Sequence, residues 1–377
     1  MANNLSSNIT RPLAKIFLEA FESSRVVTKT VNTQLLSGKF NPSTGTKVDF
    51  KRPHDYNTIR SAGGDISAAA KSDIIAGKAT GTVQEYFTAA TEWSNIQEAL
   101  ELDQLDQILE PMARRLVTDL ELDLAKFMRI NTGLNYGARG TAVDAWSDVA
   151  GAGAMMDSVG VPMSDNKYYL MNPFTTTSLA SAQSGLNAAD GLVRTAFEKA
   201  QIASNFGGMK ALTSNALSSY TSGSTTDRLG DLKTAPDATY VTAKDTMQQT
   251  MVIETLGTGT IEAGDQIQVA GVNRLNIATR QLILDTTGAA VPWTGTVLAV
   301  VTIAGNEATV VVSGAAIYEA NGQYNNVDAA PAAGAVVTIL GAAATVYQPN
   351  LFYTEQAFGL GTVKLPKLYS TDTVATT

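Results

Sequence analysis

Few side chains in this chain are able to do chemistry, and their spacing suits it poorly. There is no cysteine, which excludes disulfides, zinc–thiolate centres, iron–sulfur clusters and thiol nucleophiles. The single histidine, His54, stands in Arg52-Pro53-His54-Asp55. Any triad or imidazole metal site would have to use it, yet no nucleophile or ligand spacing matches it, and a polar loop histidine is the better reading. Asp119 and Asp123 are four apart, so they share a helix face where paired carboxylates could hold a cation or move a proton. Arg115 and Lys126 flank them and no Glu-x-x-His partner exists, which favours a charged outer face. Leu256-Gly257-Thr258-Gly259-Thr260 imitates a phosphate loop but lacks the third glycine, the Lys-Ser/Thr ending and a following helix. Glu262-Ala263-Gly264-Asp265 reads as a tight turn between strands. Asp285-Thr286-Thr287-Gly288 imitates an aspartic-protease elbow, but with one residue too many and no second copy, and it too reads as a turn. No catalytic, cofactor-binding or metal-binding residue is assigned, and no cofactor is expected.

The elements that would position such groups are more informative. From Leu105 to Ile130, Leu105, Leu109, Met112, Leu116, Leu120, Leu124 and Phe127 recur at steps of three or four, an apolar stripe along one long helix. Glu110 precedes Arg114 by four, and Arg115 precedes Asp119 by four, which supports the helix. Pro111 either lies in its first turn or kinks it, and it marks the expected start. Residues 1–45 read as a polar arm, with a short helix capped by Thr10 running through Leu13, Ile16, Phe17 and Phe21, then an extended stretch from Val26 to Thr44. Residues 46–98 read as a long hairpin: Val48 and Phe50 alternate outward, Val83–Phe87 return, and the tip is rich in Gly, Ala and Ser. A hairpin of this length is marginal alone and should lie on something, most simply another subunit.

Beyond the helix, Ala142–Val159 reads helical, Lys167–Met171 reads as a buried strand stopped by Asn172-Pro173, and Leu192–Ala203 reads as a helix. Phe206-Gly207-Gly208 turns the chain. From about residue 222 the texture changes to short β runs: Thr250–Leu256, Gln266–Val272, Thr296–Ile303, Ala308–Val312 and Val336–Leu340. Gly305-Asn306 closes a hairpin between the third and fourth, and Asn321-Gly322 marks another turn. This stretch, Thr225–Tyr347, holds 11 acids and 5 bases and reads as a small acidic all-β domain. Residues 348–377 return to an exposed, mixed texture.

The totals fit two or three globular domains: 377 residues, 44% apolar, 16% charged, net charge −8. The low charge and many small residues favour close sheet packing and wide protein contacts. Only Lys51-Arg52 and Arg114-Arg115 are adjacent bases, which argues against sequence-reading nucleic-acid binding. The first residues lack a basic start followed by an apolar run, so no secretory signal is expected. Ala329–Thr354 carries no charge, but Pro331, Gly334, Gly341 and Pro349 interrupt it and its valines favour strand, so no membrane span is expected.

Several local stretches, in order, resemble major capsid proteins of tailed bacteriophages, whose fold is also found in herpesvirus capsid floors. They are Lys78–Gly81, Arg114–Leu122, Asp144-Ala145-Trp146, Tyr168–Pro173 and Gly264–Val272. The subgroup that this chain resembles is the Salmonella-podophage coat protein with an inserted β domain. The resemblance implies an α+β tailed-phage major capsid fold: an N-terminal arm (1–45), an extended loop (46–98), a peripheral domain with a spine helix (99–135), an axial domain (136–222), an inserted β-barrel-like domain (223–347), and a return to the axial and peripheral domains (348–377). Members of the subgroup continue past the position of Thr377 with further strands, so the expectation is either a shortened chain that lacks these C-terminal strands or a fold that closes differently.

By the same resemblance the chain would be a non-catalytic major capsid protein. It would assemble with itself into hexamers and pentamers of an icosahedral head in the host bacterial cytoplasm and enclose double-stranded DNA without reading it. A scaffolding protein, a portal protein and a decoration protein are the implied partners, with no membrane. Candidate intersubunit contacts are Arg60, Lys71 and Lys78 on the hairpin, and Asp227, Arg228, Asp231 and Lys233 at the start of the insertion. Rival readings are a surface-layer or filament protein, which would want secretion, an enzyme with an unrecognised site, and a carbohydrate module, for which Trp93, Trp146 and Trp293 are too dispersed.

Overall fold

A computed structural model describes residues 24–33, 47–82 apart from 68 and 70, 105–184 and 190–361, together with Glu19 and Glu22. The chain is α+β. Most of the expected Thr10–Phe21 helix, the Val83–Phe87 return, Trp93, and the tail from 362 onward lie outside the described residues.

The segment expected to be polar and extended from Val26 instead makes one 3-10 turn, Val27–Lys29, with Val27 and Val31 fully buried. Two valines four apart carry it into the core beside Leu124 and Met128. β1 (Lys47–Lys51) and β2 (Lys78–Thr82) then pair antiparallel, Lys47 opposite Thr82 and Lys51 opposite Lys78, so the return strand starts earlier than expected.

The long helix spans Leu105–Ile130. Pro111 is inside it rather than at its start. The missing N–H removes a single bond in a 26-residue helix, a cost of about 3 kcal/mol that packing further along can offset. The buried line is also not the expected one. Ala113, Val117, Glu121, Leu124, Ala125 and Met128 are buried, Met112, Leu116 and Leu120 are half-buried, and Phe127 is 55% exposed. Burial runs one residue, about 100°, around the helix from the leucine stripe, because Ala113 and Ala125 allow the closest approach to the neighbouring segments.

The next helix is Trp146–Val159, starting later than Ala142. Asp148 Oδ2 accepts the Ala145 N–H at 3.1 Å, and Gly160, at φ +109°, ends the helix. β3 (Lys167–Met171) follows as expected. Asn172-Pro173 does more than stop it: Asn172 Oδ1 accepts the Thr175 N–H at 2.7 Å and Pro173 opens a helix, Pro173–Ser184. Asparagine at the cap with proline next is a helix-start signal as well as a strand stop. The following helix is Asp190–Lys199, not Leu192–Ala203. β4 (Asn205–Phe206) and β5 (Met209–Thr213) are joined by Gly207-Gly208, both at positive φ, as a tight hairpin requires.

β6 (Tyr220–Thr221) leads into β7 (Leu229–Leu232) and β8 (Gln248–Glu254), with a helical turn, Tyr240–Ala243, between them. Then come β9 (Thr260–Ile261), β10 (Gln266–Asn273), β11 (Pro292–Val297), β12 (Val301–Thr302), β13 (Ala308–Ser313) and β14 (Val336–Ile339), and finally β15 (Val346–Tyr347) and β16 (Leu351–Thr354). Six of them close a barrel in the order β10-β11-β13-β8-β7-β14. Closure removes the free edges an open sheet would expose. Alternation sends Met251, Ile253, Val310, Val312, Val337 and Ile339 inward around Trp293, which is fully buried and donates its indole N–H to the Gly314 carbonyl at 2.9 Å. Gly295 has no side chain because a Cβ there would meet the Trp293 ring at 2.6 Å. Gly305-Asn306 makes the expected turn, both residues at positive φ. The strand before it is split, since β12 leaves the barrel to pair with β9.

The rest forms three layers. A four-stranded sheet, order β16-β3-β5-β4, has Tyr168 and Leu170 on one face and Tyr169 and Met171 on the other. The first face packs on Leu124, Ala125 and Met128 of the long helix and on Val27 and Val31; the second packs on Val149, Ala152, Met156 and Leu179. β16 is buried in this sheet, so residues 351–354 are not the exposed stretch expected there: Leu351 and Tyr353 fill the gap beside Tyr168 and Leu170.

Candidate assembly surface and arginine cluster

The loop between β1 and β2 lies along the β-rich part of its own chain, which supplies one surface to carry it. Polar groups of the barrel region hold it at both ends. Asp55 pairs with Arg280, and Asn57 Nδ2 donates to the Asn321 carbonyl at 2.7 Å. Gln323 Nε2 donates to the Asp73 carbonyl at 2.6 Å, and the Lys78 N–H donates to Asp245 Oδ1 at 3.1 Å. Ile75 packs beside Tyr240 and Tyr324, whose rings stack at 3.6 Å. Between these anchors Tyr56, Ile59, Ile66 and Ile74 are exposed, the last by 76%. Four large apolar side chains exposed along one held loop are suited to burial against another protein.

The expected contact residues divide. Arg60 and Lys71 are exposed on this loop, and Asp227 is exposed at the start of the β-rich stretch. The other four have partners within the chain. Lys78 Nζ pairs with Asp49 at 2.9 Å, Lys233 pairs with Glu307, and Asp231 Oδ2 accepts the Thr255 hydroxyl at 2.9 Å. The Arg228 side chain turns inward, donating to the Ala342 carbonyl at 2.6 Å. Sequence spacing cannot tell an outward charge from one paired across a barrel. His54 is exposed, Asp119 pairs with Arg115, and the Asp285 carboxylate is held below the usual range by the Thr287 hydroxyl and the Ala289 and Thr287 N–H groups. Among the described residues, no group of three His, Asp or Glu side chains stands close enough to hold a metal ion. No helix there is long and apolar enough to cross a membrane.

Two joints fix the barrel to the layered part. Arg274, buried and with no carboxylate partner among the described residues, donates to the Gly133 carbonyl and to the Thr294 carbonyl at 2.9 Å. Burial pushes its guanidinium down to about 10, so it remains charged near neutrality. Beside it Gly133 and Gly314 meet face to face; a Cβ on Gly314 would stand 3.0 Å from the Gly133 Cα, and Gly314 has φ +83°. Gly314→Val is therefore expected to lower stability by about 2 kcal/mol or more through strain and overpacking, read as a lower thermal midpoint, while Ala278→Val, on an exposed turn, leaves it unchanged.

The second joint is charged. Asp265, with no exposed surface, accepts N–H groups of Gly223 and Glu262 through Oδ2 at 2.9 and 3.0 Å. Arg139 Nη1 stands 4.0 Å and Arg228 Nη1 3.9 Å from its oxygens. Arg129, from the end of the long helix, lies over the Tyr220 ring at 4.4 Å. Burial lowers Arg139 to about 10, with Asp265 opposing that shift. None of these residues was singled out from the sequence for this role. They are spread from 129 to 265, and only folding brings them together.

A family model described as "P22 coat protein - gene protein 5" matches residues 1–377. The chain belongs to the P22 coat protein family. A relative described as a major capsid protein, from Acyrthosiphon pisum secondary endosymbiont phage 1, is 45% identical over 382 residues, covering 100% of this chain and 90% of its own. This coat-family chain is therefore a major capsid protein of a phage, with a structural role in the virion capsid. Among solved structures, one from Mycobacterium phage Che8 aligns with 76% of this chain and 85% of its own at 15% identity and a TM-score of 0.33. The capsid of cyanophage P-SCSP1u aligns with 76% and 83% at 15% identity and 0.30.

Proposed function

We propose that this coat-family protein assembles with itself into the hexamers and pentamers of an icosahedral phage head that encloses double-stranded DNA, without catalysis. The observation that carries this is the loop at 52–77, anchored on its own chain yet exposing Tyr56, Ile59, Ile66 and Ile74. An ordered apolar surface costs little further entropy when a neighbour covers it. Many such contacts repeated around a closed shell add to a large total even when each is modest. A net charge of −8 suits a wall that contains DNA rather than grips it. In this reading the chain has the tailed-phage major capsid fold, residues 46–98 are the extended loop, and Leu105–Ile130 is the spine helix. Residues 223–347 are then an inserted domain on a two-stranded stem, because β6 and β15 pair side by side, with Thr221 opposite Val346. Scaffolding, portal and decoration proteins would be its partners in the host cytoplasm.

Purified protein, alone or with a scaffold, is expected to form closed icosahedral shells by negative-stain electron microscopy. Ile74→Asp with Ile66→Asp should abolish shells while leaving the circular dichroism and thermal midpoint of the subunit unchanged. Fibres, or a monomer under all conditions, would overturn the reading.

A further inference from the structure

The chain between β1 and β2 is seated on three connections of the barrel. Its legs meet the β7–β8 connection. Gly77 is buried there: a Cβ on it would stand 2.8 Å from the Lys244 carbonyl oxygen and 2.9 Å from the Tyr240 hydroxyl. The Gly77 carbonyl accepts the Arg52 N–H at 2.9 Å, which ties the two legs together, and the Lys78 N–H reaches Asp245 Oδ1 at 3.1 Å. Arg280, from the β10–β11 connection, pairs with Asp55. The β13–β14 connection supplies the Asn321 carbonyl to Asn57 and the Gln323 amide to the Asp73 carbonyl. Neighbouring strands of the barrel are all antiparallel, so these three connections fall at one end of it, opposite the β6–β15 stem. Two adjacent isoleucines part ways on the loop: Ile75 packs with Tyr240 and Tyr324, whereas Ile74 stays in solvent. A loop stowed until needed would turn its large apolar groups onto the barrel. This one grips through Gly77, Ile75 and polar groups and leaves Tyr56, Ile59, Ile66 and Ile74 exposed.

We propose that this end of the barrel is a splint that presents the loop for assembly. Held by the Gly77 seat and by Arg280, Asn321 and Gln323, residues 52–77 keep, in the free subunit, the shape in which a second copy covers Tyr56, Ile59, Ile66 and Ile74. The second copy in this statement rests on the shell reading; the seating does not. A loop free in solution loses conformational entropy when a neighbour covers it, and a seated loop has already lost it on folding. The barrel thus favours assembly through the loop it carries, and the loop goes where the barrel goes.

The unassembled full-length chain gives the first readout. Arg60 and Lys71 are exposed on the loop, and trypsin needs the chain around them to leave its seat before it cuts. Gly77→Val drives a branched side chain against the Lys244 carbonyl and should speed cleavage after Arg60 and Lys71 by about 10-fold or more, the change for about one lost contact. Asp55→Ala with Asn57→Ala removes two anchors from the loop side and should do the same; both residues lie outside the barrel, so this variant stands in if Gly77→Val fails to fold. Both variants should also assemble more slowly than the unsubstituted chain, followed by light scattering. The second readout is a lock. The chain has no cysteine, so Asn57→Cys with Asn321→Cys can be joined by a short bis-maleimide, and the joined subunits should form shells as fast as the unsubstituted chain. Unchanged trypsin cleavage in both loop variants overturns the seating. An unchanged assembly rate in a variant whose cleavage has risen overturns the splint, as does loss of shells on joining when the unjoined double-cysteine chain forms them. If the unsubstituted chain forms no shells, the shell reading falls and the splint with it, while trypsin cleavage still decides the seating.

Discussion

Asp265→Ala is expected to cost about 3–5 kcal/mol, the range for removing one partner of a buried ionic group. The carboxylate has no exposed surface and does two things. It accepts the Gly223 and Glu262 N–H groups at 2.9 and 3.0 Å, which shapes the turn before β10 and holds the entry of the barrel stem. It is also, among the described residues, the carboxylate that faces Arg129, Arg139 and Arg228. Alanine orphans the buried Gly223 N–H and the partly buried Glu262 N–H and leaves three cations facing each other. Asp265→Asn separates the two roles: an amide oxygen can still accept both N–H groups, so its loss should be clearly smaller and should grow as salt is lowered, because the remaining deficit is charge repulsion. Urea midpoints of the unassembled chain, compared at low and high salt, check this. Equal losses for Ala and Asn would assign the whole effect to charge; a loss under about 1 kcal/mol for Ala would contradict the buried-ion argument.

Glu121→Ala is expected to cost about 3 kcal/mol and to release the segment around Val27. Glu121 is 4% exposed in the middle of the long helix. Its Oε1 accepts the Val26 N–H at 2.6 Å, and the Thr28 N–H and hydroxyl each at 3.1 Å. Removing it strands three donors, two of them in Thr28, which is fully buried; each such loss costs about 1–3 kcal/mol, though water reaching the opened gap limits the sum. The same segment carries Val27 and Val31 into the sheet core, and Thr30 Oγ1 meets the Tyr353 hydroxyl at 2.6 Å. The loss should therefore propagate to β16. Glu121→Gln keeps the acceptor and should retain most of the stability. Urea midpoints measure the cost, and limited proteolysis should show new cleavage near residues 25–31 in the alanine variant alone. Unchanged cleavage would mean the valines hold the segment without Glu121.

Local signals were legible where the chain's own periodicity decides the structure. The strand Lys167–Met171 has the bounds its pattern predicts, the helix through Ile130 follows its apolar spacing although it starts six residues before Pro111, and Gly305-Asn306 turns where a positive φ is needed. The family, too, was readable from short stretches such as Arg114–Leu122 in their order along the chain. What spacing does not encode is which neighbour arrives. The leucine stripe predicts an apolar face, yet the buried line runs through Ala113, Val117 and Glu121, because the partner segment brings N–H groups for a carboxylate and needs small residues for close approach. In isolation Glu121 looks like any surface acid. Nor does spacing show that Lys78, Lys233 and Asp231 meet Asp49, Glu307 and Thr255 within the chain.

By itself, then, the sequence determined what is local and what is inherited: the long helix, the alternating strands, the absence of thiol chemistry, and membership in a capsid family. Only the tertiary structure decided where the charges go. Burial turns Arg129, Arg139, Arg228 and Asp265 from ordinary polar residues into a cluster, because removing water makes each charge depend on partners far away in the chain.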